Sequence, residues 1–154
     1  MGGVSAINLT LEIIVIQHIT RAQLAFLRKR FQELLKAPVV RYSTLTPSKI
    51  PEQPGVYLIT AFLDQKEHPY YVGRTKNLRE RLYRNHLMGS PTNARLKKHM
   101  IDSGECVDVV VAKKFMRDHC AVRWVRQDGF RERGALEGYV TGLLFPKYGI
   151  YEEH

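Results

Sequence analysis

The chain has 154 residues, 44% of them apolar, and carries 24 Lys and Arg against 15 Asp and Glu for a net charge of +9. That length holds a single hydrophobic core, and the apolar and aromatic content excludes a disordered chain. The charge favours a polyanionic partner, nucleic acid before membrane, because the basic residues gather near short motifs and not along one amphipathic helix.

Leu9 to Ile19 is apolar but interrupted by Glu12, Gln17 and His18. It is too short to span a bilayer, and no charged segment precedes it as in a secretory signal. Ala6 stands where a myristoylation signal needs Ser or Thr. The expectation is a soluble, intracellular, cytoplasmic protein with no membrane partner. Branched aliphatics over residues 7–16 suggest a strand. Thr20 and Gln23 have the form of a capping box. Leu24, Leu27, Phe31, Leu34 and Leu35 then recur at helical spacing until Pro38 stops the helix. Arg21, Arg28, Lys29, Arg30 and Lys36 fall on its other positions, as a solvated face or a surface for backbone phosphates.

Pro47, Pro51 and Pro54 stiffen the approach to a strand over Val56 to Phe62, with a hairpin loop over 64–69 and a return strand over Tyr70 to Gly73. Asn77 reads as an N-cap for a helix from Leu78 to about Leu87, with Leu78 and Leu82 on the buried stripe. A second helix is expected from Asn93 to Ile101, ended by Ser103-Gly104. The valine-rich run Val107 to Val111 fits a strand. Cys106 and Cys120 are too few for a disulfide framework or a four-ligand zinc site. No CxxC or HxxxH spacing joins them to His119, so both read as reduced thiols. Residues 116–134 interleave Arg117, Arg123, Arg126, Arg131 and Arg133 with Trp124 and Phe130. Such a segment can grip phosphates and stack on bases, or fold as an insertion around its own two aromatics. A last helix runs from Gly134 to Phe145 and ends at Pro146. Its internal Gly138 and Gly142 suggest close packing or substrate approach.

Two strand segments carry the most information. Gly55-Val56-Tyr57 and Tyr71-Val72-Gly73 place their tyrosines fourteen positions apart; Arg81 follows Gly73 by eight residues, and Glu137 comes much later. With Pro54 and Arg74 at their flanks, Asn77-Leu78-Arg79-Glu80-Arg81-Leu82 behind them, and Pro146-Lys147-Tyr148 nine residues after Glu137, residues 50–149 resemble the GIY-YIG nuclease family. The resemblance implies an α+β fold with a small three-stranded antiparallel sheet flanked by helices, in a nuclease domain over 50–154, with residues 1–49 as an N-terminal helical extension. It also implies a metal-dependent DNA endonuclease, with Tyr57 and Tyr71 as the motif tyrosines, Arg81 as the helix arginine and Glu137 as the ligand of one divalent ion, Mg²⁺ or Mn²⁺.

The expected roles follow from phosphodiester hydrolysis. A free phenol is a poor base at neutral pH, so Tyr57 needs cations such as Arg74, Arg81 and the metal to favour its phenolate. Tyr71 would position Tyr57 or a phosphate, and the planar fork of Arg81 would hold phosphate oxygens. Family members often carry His or Tyr four residues beyond the helix arginine, and here that position is Asn85. His86 is next to it, a candidate for proton transfer whose default is a surface position. Where the family commonly has Asn after Pro-Lys-Tyr, this chain has Gly149. Arg74, Lys76, Arg79, Arg84, Arg95, Lys97 and Lys98 form a basic stripe for phosphates, extended by Arg123, Trp124 and Arg126. The expected substrate is single-stranded or structured DNA, bound by a monomer or homodimer. The alternatives are a non-catalytic nucleic-acid-binding module, or a subunit of a repair or mobile-element complex docked through the N-terminal helix.

Overall fold

The protein is described by a computed structural model over residues 6–91 and 95–149, with side chains from residue 12 onward. Helix α1 (Ala6–Lys36) leads through β1 (Val40–Arg41) and two short 3-10 turns to the hairpin of β2 (Gly55–Leu63) and β3 (Lys66–Thr75). A π-helix (Glu80–Met88), α2 (Arg95–Asp102) and α3 (Val109–His119) follow, then β4 (Cys120–Arg126) and α4 (Phe130–Leu144). The class is α+β, as expected. The sheet has four strands rather than three, ordered β1-β4-β2-β3 and antiparallel throughout.

Helices cover both faces of this sheet. On one face Tyr57, Ile59, Ala61, Tyr70, Tyr71 and Val122 pack with residues of the π-helix, α2 and α3. On the other, Val56, Leu58 and Val72 pack against Leu34 of α1 and Leu136 and Val140 of α4. Coverage of both faces explains why β2 is buried from Gly55 to Ala61 without a break.

The hairpin turns on two residues only, Asp64 and Gln65, both at positive φ (50° and 62°), the backbone of a type I′ turn. The expected loop over 64–69 is therefore mostly strand. Pro69 is tolerated because β3 is an edge strand and the pairing register shifts there, between Ile59 and Thr60 of β2. Ile59 pairs with Tyr71 and Thr60 with Pro69, so Tyr70 is the extra residue of a β-bulge. Both Tyr70 and Tyr71 consequently lie in the same core cluster.

Two segments expected as strands are helical. Residues 7–16 belong to α1, whose helix passes straight through the expected start at Thr20; the Thr20 hydroxyl donates to the Ile16 carbonyl at 2.8 Å. The weak strand preference of branched aliphatics gives way to cooperative helix extension. Of the expected stripe, Leu34 is buried and Leu27 and Phe31 pack beside it, while Leu24 and Leu35 are exposed. Ile13, Ile14, Val15, Ile16 and Ile19 are exposed as well.

Within 107–111, Val109 to Val111 open α3, because the Asp108 carboxylate accepts the Val111 N–H at 2.9 Å and caps the helix. The sheet position beside β2 is filled by β4 instead. Residues 116–134 are thus neither an insertion nor a loose basic segment: they hold a central strand and the first turn of α4. Gly104, at φ 81°, ends α2 as expected, while its expected start at Asn93 lies outside the described residues. The interior glycines of α4 are not packing sites, since a Cβ at Gly138 or Gly142 would meet nothing within 4 Å. Among the described residues no helix is long and apolar enough to cross a membrane.

Candidate active site

The sheet brings the two motif tyrosines together without making them pairing partners. Tyr57 on β2 faces Gly73 on β3 and Trp124 on β4, and its ring lies 6.3 Å from that of Tyr71 at an interplanar angle of 27°. Gly73 is required here: a Cβ at that position would stand 2.3 Å from the Tyr57 hydroxyl oxygen. The glycine of the second motif exists so that the phenol of the first can lie across it.

The next element supplies the polar partners. Asn77 caps it as expected, its Oδ1 accepting the Glu80 N–H at 3.2 Å. From Glu80 the helix is wound as π, and this winding sets the site. Residues five apart in an α-helix diverge by about 140°. In the π-helix, Arg81 and His86 both reach one atom: Arg81 Nε donates to Tyr57 Oη at 3.2 Å, and His86 Nε2 lies 2.7 Å from the same oxygen. His86 is therefore not the surface residue expected. It is fully buried, with its ring 5.4 Å from Tyr57 and 5.3 Å from Tyr71.

His86 Nδ1 is buried without a hydrogen-bond partner. The direction of the His86–Tyr57 hydrogen bond follows the imidazole tautomer: with the proton on Nε2 the ring donates to the phenol, and with it on Nδ1 the phenol donates to the ring. Burial, then Arg81 and Lys97, hold His86 well below its ordinary value, so the ring is neutral. Tyr57 Oη accepts from Arg81 Nε and shares a second hydrogen bond with His86 Nε2. Burial raises the Tyr57 phenol well above its ordinary value and outweighs the lowering by Arg81. The phenolate is accordingly not formed by the neighbouring arginines alone. Burial disfavours the charge on Arg81, but Tyr57 and then Tyr71 outweigh it and hold the guanidinium above its ordinary value.

Glu137 arrives from α4, on the far layer of the fold. Its carboxylate accepts a hydrogen bond from the Arg74 backbone on the edge strand β3 and lies in the field of Arg74 and Arg81. Burial nevertheless raises it above the usual carboxylate value. Among the described residues no three His, Cys, Asp or Glu side chains converge to hold a metal. A single carboxylate with oxygen chemistry suits Mg²⁺, which retains waters and accepts substrate oxygens. Cys120 belongs to the core, its thiol pushed up to about 12 by burial.

The basic stripe divides in two. Arg74, Lys76, Arg84, Arg95 and Lys98 are exposed, Lys98 beside Asp102. Arg79 is tied to the Ile50 carbonyl and Glu52. Lys97 is fully buried, its ammonium donating to the Leu87 and Gly89 carbonyls at 2.6 Å each, and burial followed by Lys113 pulls it down to about 8. It ties down the end of the π-helix and offers nothing to a phosphate. Arg123 is likewise structural, buried on the opposite face against Glu67 and the Leu35 carbonyl. Trp124 is partly buried on the core, and Arg126 is exposed but held by Asp128.

The family model for the GIY-YIG catalytic domain matches residues 53–132. The chain belongs to the GIY-YIG nuclease family. UvrABC system protein C of Frankia casuarinae is 37% identical over 82 residues, a stretch that is 53% of this chain and 11% of that protein. The chain thus spans about a tenth of the length of this curated relative. No solved structure matches it significantly. The GIY-YIG match stops short of Glu137, which joins the site through its contact with Arg74.

Residue patterns missed the role of Gly134, where an added Cβ would lie 2.2 Å from Arg74 Nη1; Phe130, read in the sequence as an aromatic interleaved with arginines, has its ring 5.8 Å from the Arg74 guanidinium. Their signal was a helical spacing of Phe130, Gly134 and Glu137 on one face of α4.

Proposed function

We propose that this protein is a DNA endonuclease that hydrolyses a phosphodiester bond with one divalent ion, Mg²⁺ or Mn²⁺, held by Glu137. The observation that carries this reading is the convergence of Arg81 and His86 on Tyr57 Oη beside a half-buried carboxylate. Residues 50–154 would carry the chemistry, with residues 1–49 attached to them. The likeness to UvrABC system protein C agrees with a role in DNA processing.

Hydrolysis needs an attacking water, a place for its proton and compensation for charge on the phosphoryl oxygens. A hydrogen bond from Arg81 Nε, joined by one from the neutral imidazole with its proton on Nε2, makes Tyr57 Oη a stable seat for negative charge once its own proton has left. As phenolate it takes a proton from the water as the new P–O bond forms and the bond to the leaving oxygen breaks. The bound ion would supply Lewis acidity toward the phosphoryl oxygen and the leaving oxygen, and positive charge that lowers the phenol. Arg81 faces the same region and holds a non-bridging oxygen. Arg74, exposed beside Glu137, steers the strand. The preferred substrate is single-stranded or structured DNA.

The test is cleavage of matched single-stranded and duplex oligonucleotides with Mg²⁺ by the wild type and by Glu137→Ala, with binding measured in parallel. Cutting by the wild type and binding without cutting by the variant is the expected result. Binding by both with cutting by neither, over a range of metals and salts, overturns the proposal.

A further inference from the structure

Phe130 opens α4 and is 67% exposed. A single exposed ring is ordinary on a protein surface, but the surroundings of this one are not. The Arg74 guanidinium carbon lies 5.8 Å from the ring centroid. One turn further on, Gly134 leaves the room that Arg74 Nη1 occupies, and one turn beyond that Glu137 accepts from the Arg74 backbone. Phe130, Gly134 and Glu137 stand at i, i+4 and i+7, so they share one face of the helix. Arg74 follows that face from the candidate metal ligand to the exposed ring. Seven residues of helix advance about 10 Å, which is about three nucleotide steps at the stacked-duplex rise of about 3.4 Å and fewer on an extended unpaired strand.

We propose that Phe130 is a stacking platform for an unpaired base of the substrate strand, within about three nucleotides of the cut, with the Arg74 guanidinium on an intervening phosphate. In a continuous duplex both faces of each base are covered by its neighbours. A side-on ring can therefore stack only on a base that has left the helix. This gives the substrate class of the proposed nuclease: DNA with an unpaired nucleotide beside the cleavage point, as in a flap, bulge or single strand. The inference rests on the nuclease reading for its second half, cutting, but not for its first, binding.

The experiment separates the two halves. Glu137→Ala protein is titrated onto a duplex with a single-stranded extension, with 2-aminopurine placed in turn at each unpaired position. Fluorescence quenching at one position, absent when Phe130→Ala is added and restored with Phe130→Trp, is expected. With otherwise wild-type protein, Phe130→Ala and an abasic nucleotide at that position each raise KM about tenfold, and together they cost no more than either alone. Equal quenching with and without the ring, or a Phe130→Ala loss of the same size on abasic and intact strands, overturns the platform. Cutting by the wild type that ignores Phe130 also overturns it and leaves the nuclease reading standing. Ring-dependent quenching with no cutting by the wild type sinks the nuclease reading and keeps the platform.

Discussion

Around Tyr70, Glu105 accepts the Tyr70 hydroxyl at 2.8 Å, the Tyr148 hydroxyl at 3.0 Å and the Lys147 ammonium, while Ser103 meets Tyr148 at 2.9 Å. Around Tyr57, on the same face of the sheet, Arg81 and His86 meet one phenol oxygen and His86 Nδ1 is left bare. Both clusters contain tyrosines, a basic residue and a glutamate. Glu105 is opposed by burial, but Lys147 and the phenols outweigh it and hold the carboxyl below its usual value. At Glu137 burial wins over Arg74 and Arg81 and the carboxyl is held above it. The contrast teaches that residue type does not distinguish structural support from reactivity here. What distinguishes them is whether every polar atom has already spent its capacity inside the fold.

Tyr57→Phe has the largest expected effect. Removing the hydroxyl is expected to lower cleavage by about 10²- to 10⁴-fold and, because it leaves buried His86 unpaired, to cost about 1–3 kcal/mol in urea denaturation. Tyr70→Phe should keep cleavage within about twofold while costing about 1 kcal/mol in the same measurement. If both variants lose activity equally, the division between the clusters is wrong.

Gly73→Ala acts on geometry alone. The new methyl meets the Tyr57 hydroxyl and pushes the ring away from Arg81 and His86, and a displacement of that kind costs about a hundredfold in cleavage. A structure-insensitive loss would instead appear in binding, which filter retention measures directly.

Glu105→Gln removes a charged acceptor and is expected to cost about 1.5–3 kcal/mol at neutral pH, whereas Glu137→Gln should leave metal-free stability equal or higher. The pH dependence follows from the signs. Because folding lowers Glu105, its stabilisation is complete above the usual carboxylate value and is lost as pH falls through the lower folded value. Because folding raises Glu137, its contribution runs the other way and is lost as pH rises through the folded value. Denaturation midpoints of the two variants from neutral to acidic pH should therefore converge on the wild type from opposite sides.

Gly138→Ala gives the smallest effect and sharpens the contrast within one helix. Its methyl enters open space, so stability should rise by about 1 kcal/mol with cleavage unchanged. The same change at Gly134 lands on Arg74 and should weaken DNA binding.

The motif strands, the Asn77 cap and the Gly104 terminus were legible because each depends on local chemistry that a few residues carry. Val109–Val111 were not, since their strand preference is small and one capping carboxylate at Asp108 reverses it. β4 was hidden because Arg123 and Trp124 made its sequence look like a binding surface. In the fold Arg123 is buried against Glu67 of another strand of the sheet and the Leu35 carbonyl of α1, pairings no local pattern encodes. Lys97 misled for the same reason: its partners are backbone carbonyls, which a sequence does not mark. At the candidate site Tyr57, Tyr71, Arg81 and Glu137 are the residues the motifs nominate, whereas the burial of His86 depends on helix winding.

That winding changes how distance along such chains should be counted. From Arg81 to His86 there are five positions, one more than the four expected from the motif, where this chain has Asn85. Measured in turns, the two residues are adjacent. The π winding takes up the extra residue, so His86 of this chain reaches the phenol that Arg81 also reaches.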